Sequence, residues 1–147
     1  MESSKIILVP IDFEEASLSA LAKARDLAGR LGLEVMLIHT YTIPVAIYPG
    51  FEPIVAPDLS DQIAAAAKRS LETLAAEQGG LRSELRCGDP AAEILLAIEE
   101  KKPELVVMGT HGRKGLARLF LGSVAEKVVR SSPAPVLMVR AKAHSPS

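Results

Sequence analysis

A chain of 147 residues, with 48% hydrophobic and 24% charged side chains, suits one globular domain built on one substantial core. A formal net charge of −1 and an aromatic content of 3% disfavour nucleic acid and anionic membranes as partners, for want of a broad basic surface and of stacking platforms. No run of about 20 apolar residues is present to span a bilayer. The amino terminus lacks a basic region and a small-residue cleavage site, and the single Cys87 permits no internal disulfide, so a cytoplasmic location is expected.

Residues 5–12 (KIILVPID) form a nearly continuous apolar run, as in a strand covered on both faces of a parallel sheet. From 17 to 31 the period changes. Leu21, Ala24, Leu27, Ala28 and Leu31 recur at spacings of three and four, which marks a helix face, and Gly32 stands where a left-handed cap would end it. Residues 34–40 (EVMLIHT) predict a second strand. The stretch 41–60 contains Pro44, Pro49, Pro53, Pro57 and Gly50 and reads as a long irregular loop. A helix is predicted over 61–78, with Ile63, Ala67, Leu71 and Leu74 on one side, Asp58 and Asp61 as its caps, and Gly79-Gly80 as its stop.

Residues 81–87 (LRSELRC) alternate and carry three charges, as an exposed edge strand would, and Cys87 is read as a strand residue without chemistry. Asp89 and Pro90 predict a helix start that leads up to Pro103. A strand over 104–110, a helix over 123–130 and a final strand over 134–140 follow, and residues 141–147 are expected to fray. Strands alternating with helices imply right-handed crossovers. The expected fold is α/β, one domain over 1–147 with a five-stranded parallel doubly wound sheet and helices on both faces. The apolar first and fourth strands belong in the middle and the charged third at an edge, giving the order 3-2-1-4-5. A ligand crevice is then expected beyond Asp12 and Gly109, where the outgoing connections diverge.

The segment after the fourth strand carries the functional signal. Gly109, Gly112, Gly115 and Gly122 cluster between a buried strand and a helix, where backbone N–H groups can turn towards an anion and the helix end adds partial positive charge. Arg113, Lys114 and Arg118 add charges nearby. Neither G-x-x-x-x-G-K-[ST] nor G-x-G-x-x-G occurs. From spacing alone, anion binding and tight turning both stay open. Ser123-Val124-Ala125-Glu126 also reads as a capping box. His39, His111 and His144 are too scattered to suggest a metal site.

The run Gly109-x2-Gly112-x9-Gly122-Ser123 resembles the phosphate-binding signature of the ATP-binding branch of the universal stress protein family. The likeness extends over Val9-Pro10-Ile11-Asp12, Gly88-Asp89-Pro90, Val107-Met108-Gly109 and Pro135-Val136-Leu137-Met138-Val139. By this resemblance Asp12 contacts the ribose or base end of ATP, with capping of the first helix or turn as its other role. Pro10 and Ile11 shape the adenine side, Thr40 offers main-chain groups to the adenine edge, and Met108 lines the base or ribose pocket. Gly109, Gly112, Gly122, Ser123 and Val124 line the phosphates, with Arg113 beside them and Mg2+ or Mn2+ held mainly by the phosphates. Thr40 departs mildly from the branched apolar residue that the family often has there. The resemblance also implies a homodimer through the last strand, between Pro135 and Arg140.

The function expected is a stress-response or signalling module whose nucleotide occupancy biases conformation or partner choice. No nucleophile–base pair stands out by spacing, and Asp12 near His111 is the sole conceivable acid–base pair. The competing readings are a slow ATPase or nucleotidyl-transfer enzyme, a structural dimer with a vestigial site and, more distantly, a flavin-binding domain.

Overall fold

The first apolar run becomes the central strand of a parallel sheet. The computed structural model describes residues 4–110 and 121–141. In chain order it contains β1 (Ser4–Pro10), α1 (Glu15–Leu31), β2 (Glu34–Tyr41), α2 (Pro57–Glu77), β3 (Arg82–Cys87), α3 (Pro90–Lys101), β4 (Pro103–Gly109), α4 (Ser123–Ser131) and β5 (Val136–Val139). The sheet order is β3-β2-β1-β4-β5 with every pairing parallel, as the alternation of elements predicted.

Strand periodicity divides the core in two. Ile7, Val9 and Ile11 pack with Ala20, Leu21 and Ala24 of α1 and with Leu71, Leu74 and Ala75 of α2. Ile6 and Leu8 point the other way, towards Ile94, Ala97 and Ile98 of α3 and Ala125 and Val128 of α4. Ile7, Leu8 and Leu37 are fully buried, each contributing about 1.5–3 kcal/mol relative to exposure. Gly32 closes α1 at φ 69, the left-handed cap that its position suggested. No helix among the described residues is long and apolar enough to cross a membrane.

Several expectations are corrected. α2 starts at Pro57, four residues ahead of the expected start, because proline is tolerated in the first helical turn. Ala56 is its N-cap without a side-chain bond, so neither Asp58 nor Asp61 caps it; Asp58 sits in the first turn, where its charge suits the helix dipole. The preceding loop is also less irregular than its prolines implied. Ala46 and Ile54 exchange two backbone hydrogen bonds of 2.9 Å, and the turn Tyr48-Pro49-Gly50-Phe51 places Gly50 at φ 81. The last strand is shorter than expected, with Pro135 and Arg140 outside it. The tail expectation for 142–147 lies outside the described residues.

β3 is an edge strand, but its charges do not simply face water. Arg86 pairs with Glu84 at 2.7 Å, with Glu93 at 3.5 Å and with Glu100, while Lys101 reaches Glu84 at 3.0 Å. The Arg86 side chain is only 14% exposed. Burial alone would raise the Glu84 carboxyl, but hydrogen bonds from Arg86 and Lys101 outweigh it and hold it below the usual carboxylate range. The network fastens the sheet edge to α3.

Candidate functional site

β1 and β4 are neighbours, and their chains leave in opposite directions, to β2 and to β5. Such a switch point opens a crevice at the carboxyl ends of the strands. A cavity of about 390 Å³ lies there, lined by Pro10, Ile11, Asp12, Ser17, Ile38, Thr40, Pro90, Ile94, Met108, Gly109, Thr110, Gly122, Ser123, Val124 and Ala125. Its size falls within the range of small-molecule sites.

Nine sequence-predicted residues meet in this lining: Pro10, Ile11, Asp12, Thr40, Met108, Gly109, Gly122, Ser123 and Val124. Gly112 and Arg113 lie outside the described residues, as do His111, Lys114, Gly115 and Arg118. Sequence reasoning missed Ser17, Ile38, Pro90, Ile94, Thr110 and Ala125. Of these, Ile38 and Ile94 were legible as core positions, and topology alone brings them to the crevice.

Asp12 follows the end of β1, and its carboxylate Oδ1 accepts the Glu14 N–H at 2.9 Å. The Asp12 N–H donates to Ser17 Oγ at 3.3 Å, and that hydroxyl donates to the Glu14 carbonyl at 3.1 Å. Ser17 is the one buried polar side chain among the described residues, at 4% exposure, and its bonding to this turn accounts for its burial. The carboxylate thus makes the turn contact considered for it and stands in the cavity lining as well. Phe13, directly after it, holds a left-handed φ of 66, a conformation rare for a bulky residue.

On the other side, β4 ends at Gly109 for a packing reason. A Cβ there would lie 2.6 Å from the Ala16 carbonyl carbon and 2.7 Å from the Ser17 N. Only glycine allows β4 to pass this close to the start of α1. Beyond it, the Thr110 N–H donates to Val139 O at 3.0 Å, and Gly122 N–H donates to Thr110 O at 2.7 Å, so both ends of the intervening segment are held together.

The expected capping box does not form. Gly122, which has no side chain to cap with, is the N-cap of α4, and this puts Ser123 at the first helical position. Position three is then Ala125, one short of Glu126, whose carboxylate pairs with Arg130 instead. The first turn of α4 therefore borders the cavity, and among the described residues no side chain caps its N–H groups. Ile11, Ile38, Ile94 and Met108 supply an apolar part of the lining, Asp12 a carboxylate and α4 a positive helix end. Such a set can hold a ligand that has an apolar ring, hydroxyls and an anionic group. Among the described residues no three His, Cys, Asp or Glu side chains come together as a metal site.

A family model described as the universal stress protein family matches residues 3–140. A universal stress protein from Methanocaldococcus jannaschii is 35% identical over 141 residues, covering 92% of this chain and 82% of that protein. One from Thermus aquaticus is 38% identical over 138 residues, covering 92% of this chain and 98% of the relative. Among solved structures, a universal stress protein of Lactobacillus plantarum superposes with a TM-score of 0.72 at 26% identity, over 95% of this chain and all (100%) of that one.

Proposed function

The chain belongs to the universal stress protein family of stress-response proteins, and we propose that it is an ATP-binding module whose occupancy biases its conformation or its choice of partner. The observation that carries this reading is the composition of the switch-point cavity, with a carboxylate and an uncapped helix start around an apolar lining. The residues fit the nucleotide. Pro10, Ile11, Ile38 and Met108 suit the base, the Asp12 carboxylate can accept a hydroxyl of the ribose, and the N–H groups of Ser123 and Val124 suit phosphate oxygens. A divalent ion accompanying the nucleotide would be held mainly by the phosphates. No residue pair among the described ones places a nucleophile beside a base in the lining, which favours binding over turnover.

β5 carries an apolar run of four half-buried residues at the edge of the sheet, and pairing with a second copy would cover it. A homodimer through this strand is part of the proposal, and sedimentation at micromolar concentration should show two copies.

The test is the nucleotide content of freshly purified protein, released by denaturation and separated by chromatography, followed by titration with MgATP. Adenine nucleotide in the native protein, or saturable uptake of added MgATP, is the expected result. Protein that carries none and ignores MgATP at millimolar concentration would remove this reading and leave the fold standing.

A further inference from the structure

The residues on either side of Asp12 are both in contact with His39, which does not line the cavity. His39 and Thr40 lie just before Tyr41, the last residue of β2, and adjacent strand residues face opposite sides of the sheet. Thr40 lines the cavity; His39 does not. The His39 ring lies on the far face, with Nδ1 2.6 Å from the Ile11 carbonyl oxygen. A carbonyl oxygen can only accept, so at this distance Nδ1 carries the proton and donates. The same ring meets Phe13 edge-on, with centroids 4.7 Å apart and planes at 65°.

These two contacts grip the residues on either side of Asp12. Ile11 is also held by its own N–H, which donates to Ile38 O at 2.8 Å. Phe13 occupies a left-handed backbone conformation, which persists only where the surroundings over-determine it. The contact with His39 supplies part of that restraint, and the bonds among Asp12, Glu14 and Ser17 supply the rest. Released from the ring, Phe13 can relax to negative φ, and the Asp12 carboxylate would turn with it.

We propose that His39 is a positioning residue for the cavity, bracing the Ile11 carbonyl and the Phe13 ring from behind the sheet so that the Asp12 carboxylate is fixed at the ligand. The ligand arm of this proposal rests on the nucleotide-binding reading; the positioning itself does not. His39 acts through Asp12 and makes no contact of its own with the nucleotide.

Two substitutions separate the parts of the brace. His39→Phe keeps a ring beside Phe13 and removes the donor, whereas His39→Asn keeps an N–H near the Nδ1 position and removes the ring. Calorimetric titration with MgATP should show both variants binding more weakly, His39→Phe about five- to tenfold, a factor matching the loss of one hydrogen bond, and His39→Asn about three- to fivefold through loss of the ring contact. Asp12→Ala should bind weakly too, and the double variant Asp12→Ala/His39→Phe no more weakly than Asp12→Ala alone, because the two residues act in series. Effects that multiply in the double variant would overturn the proposal, as would full affinity in His39→Phe.

A second readout needs no ligand. The Glu14 amide, bonded to Asp12 Oδ1, should exchange its hydrogen faster in both variants, about tenfold in His39→Phe and about threefold in His39→Asn, with amides in the middle of α3 unchanged as a reference. Equal protection of Glu14 in all three proteins would overturn the proposal. Should the parent bind no adenine nucleotide, the nucleotide reading falls, and the exchange rates alone decide whether His39 positions Asp12.

Discussion

Two helices begin at the same crevice, and they begin differently. α3 is finished by its own chain: the Asp89 side chain accepts the Ala92 N–H at 3.0 Å, Pro90 fills the first turn, and Glu93 pairs with Arg86. α4 starts at Gly122 with φ −62 and ψ 162, extended like Asp89, yet among the described residues no side chain bonds there. Both helices carry a glutamate in the first turn, Glu93 and Glu126, but only α3 has a first-turn donor satisfied by its own N-cap side chain. Glycine is a weaker N-cap than Asp, so the omission at α4 costs about a few tenths of a kcal/mol relative to a good cap. A ligand that supplied the missing acceptors would offset that cost. On the proposed nucleotide-binding reading, the contrast favours α4 over α3 as the place for the anionic end of the ligand.

The largest disturbance should come from Gly109→Ala, which forces β4 away from the start of α1 and so pulls apart the crevice that both helices border. Urea unfolding is expected to show a loss of about 1–3 kcal/mol, and an unchanged midpoint would mean that the close approach at Ala16 is not required. Gly122→Asp bears most directly on the contrast, since it gives α4 the kind of cap that α3 has. Its backbone angles suit any residue, so stability should rise by a few tenths of a kcal/mol or stay level. Meanwhile MgATP affinity should fall by at least about tenfold, because a carboxylate now occupies the donors and repels phosphate. Parent-like affinity in this variant would erase the distinction between the two helices.

Asp89→Ala does the converse and uncaps α3. It should cost about 1 kcal/mol in thermal or urea unfolding, with MgATP affinity within about twofold of the parent. The smallest effect concerns the ion network behind α3. Glu84 has a folded pKa below its ordinary value, so its contribution is present above the ordinary carboxylate pKa and is lost as pH falls through the lower folded one. Glu84→Gln should therefore flatten the acid side of the stability profile, by less than about 1 kcal/mol because the pair is partly screened by solvent. An identical acid slope in parent and variant would show that the network contributes nothing measurable.

Much of this could be read before any coordinates. The apolar runs that became β1 and β4 identified the centre of the sheet, and the charges of Arg82, Glu84 and Arg86 identified its edge. The Asp89-Pro90 start was legible because N-capping is local, reaching only three residues along the chain. One of the two readings of Ser123, the capping box, failed for the same reason. The capping box depends on which residue takes the N-cap position, and a shift of one residue at Gly122 dissolved it. Gly109 was assigned by its place in a glycine pattern, whereas the structure gives it a packing constraint against α1, a contact between residues more than ninety positions apart in sequence. His39 carried no sequence signal beyond being a polar residue near the end of an apolar strand.

By itself the sequence determined the kind and order of the elements, the parallel sheet they form, and most of the residues gathered at its carboxyl edge. It could do so because hydrophobic period and turn chemistry act over a few residues and are written along the chain. Only the tertiary structure decided which neighbours those residues meet. It placed His39 behind Asp12, gave α4 a glycine N-cap while α3 was capped by Asp89, and turned Glu84 and Arg86 of β3 to α3. Those outcomes depend on strand parity across the sheet and on close approach between distant segments, which no local pattern encodes.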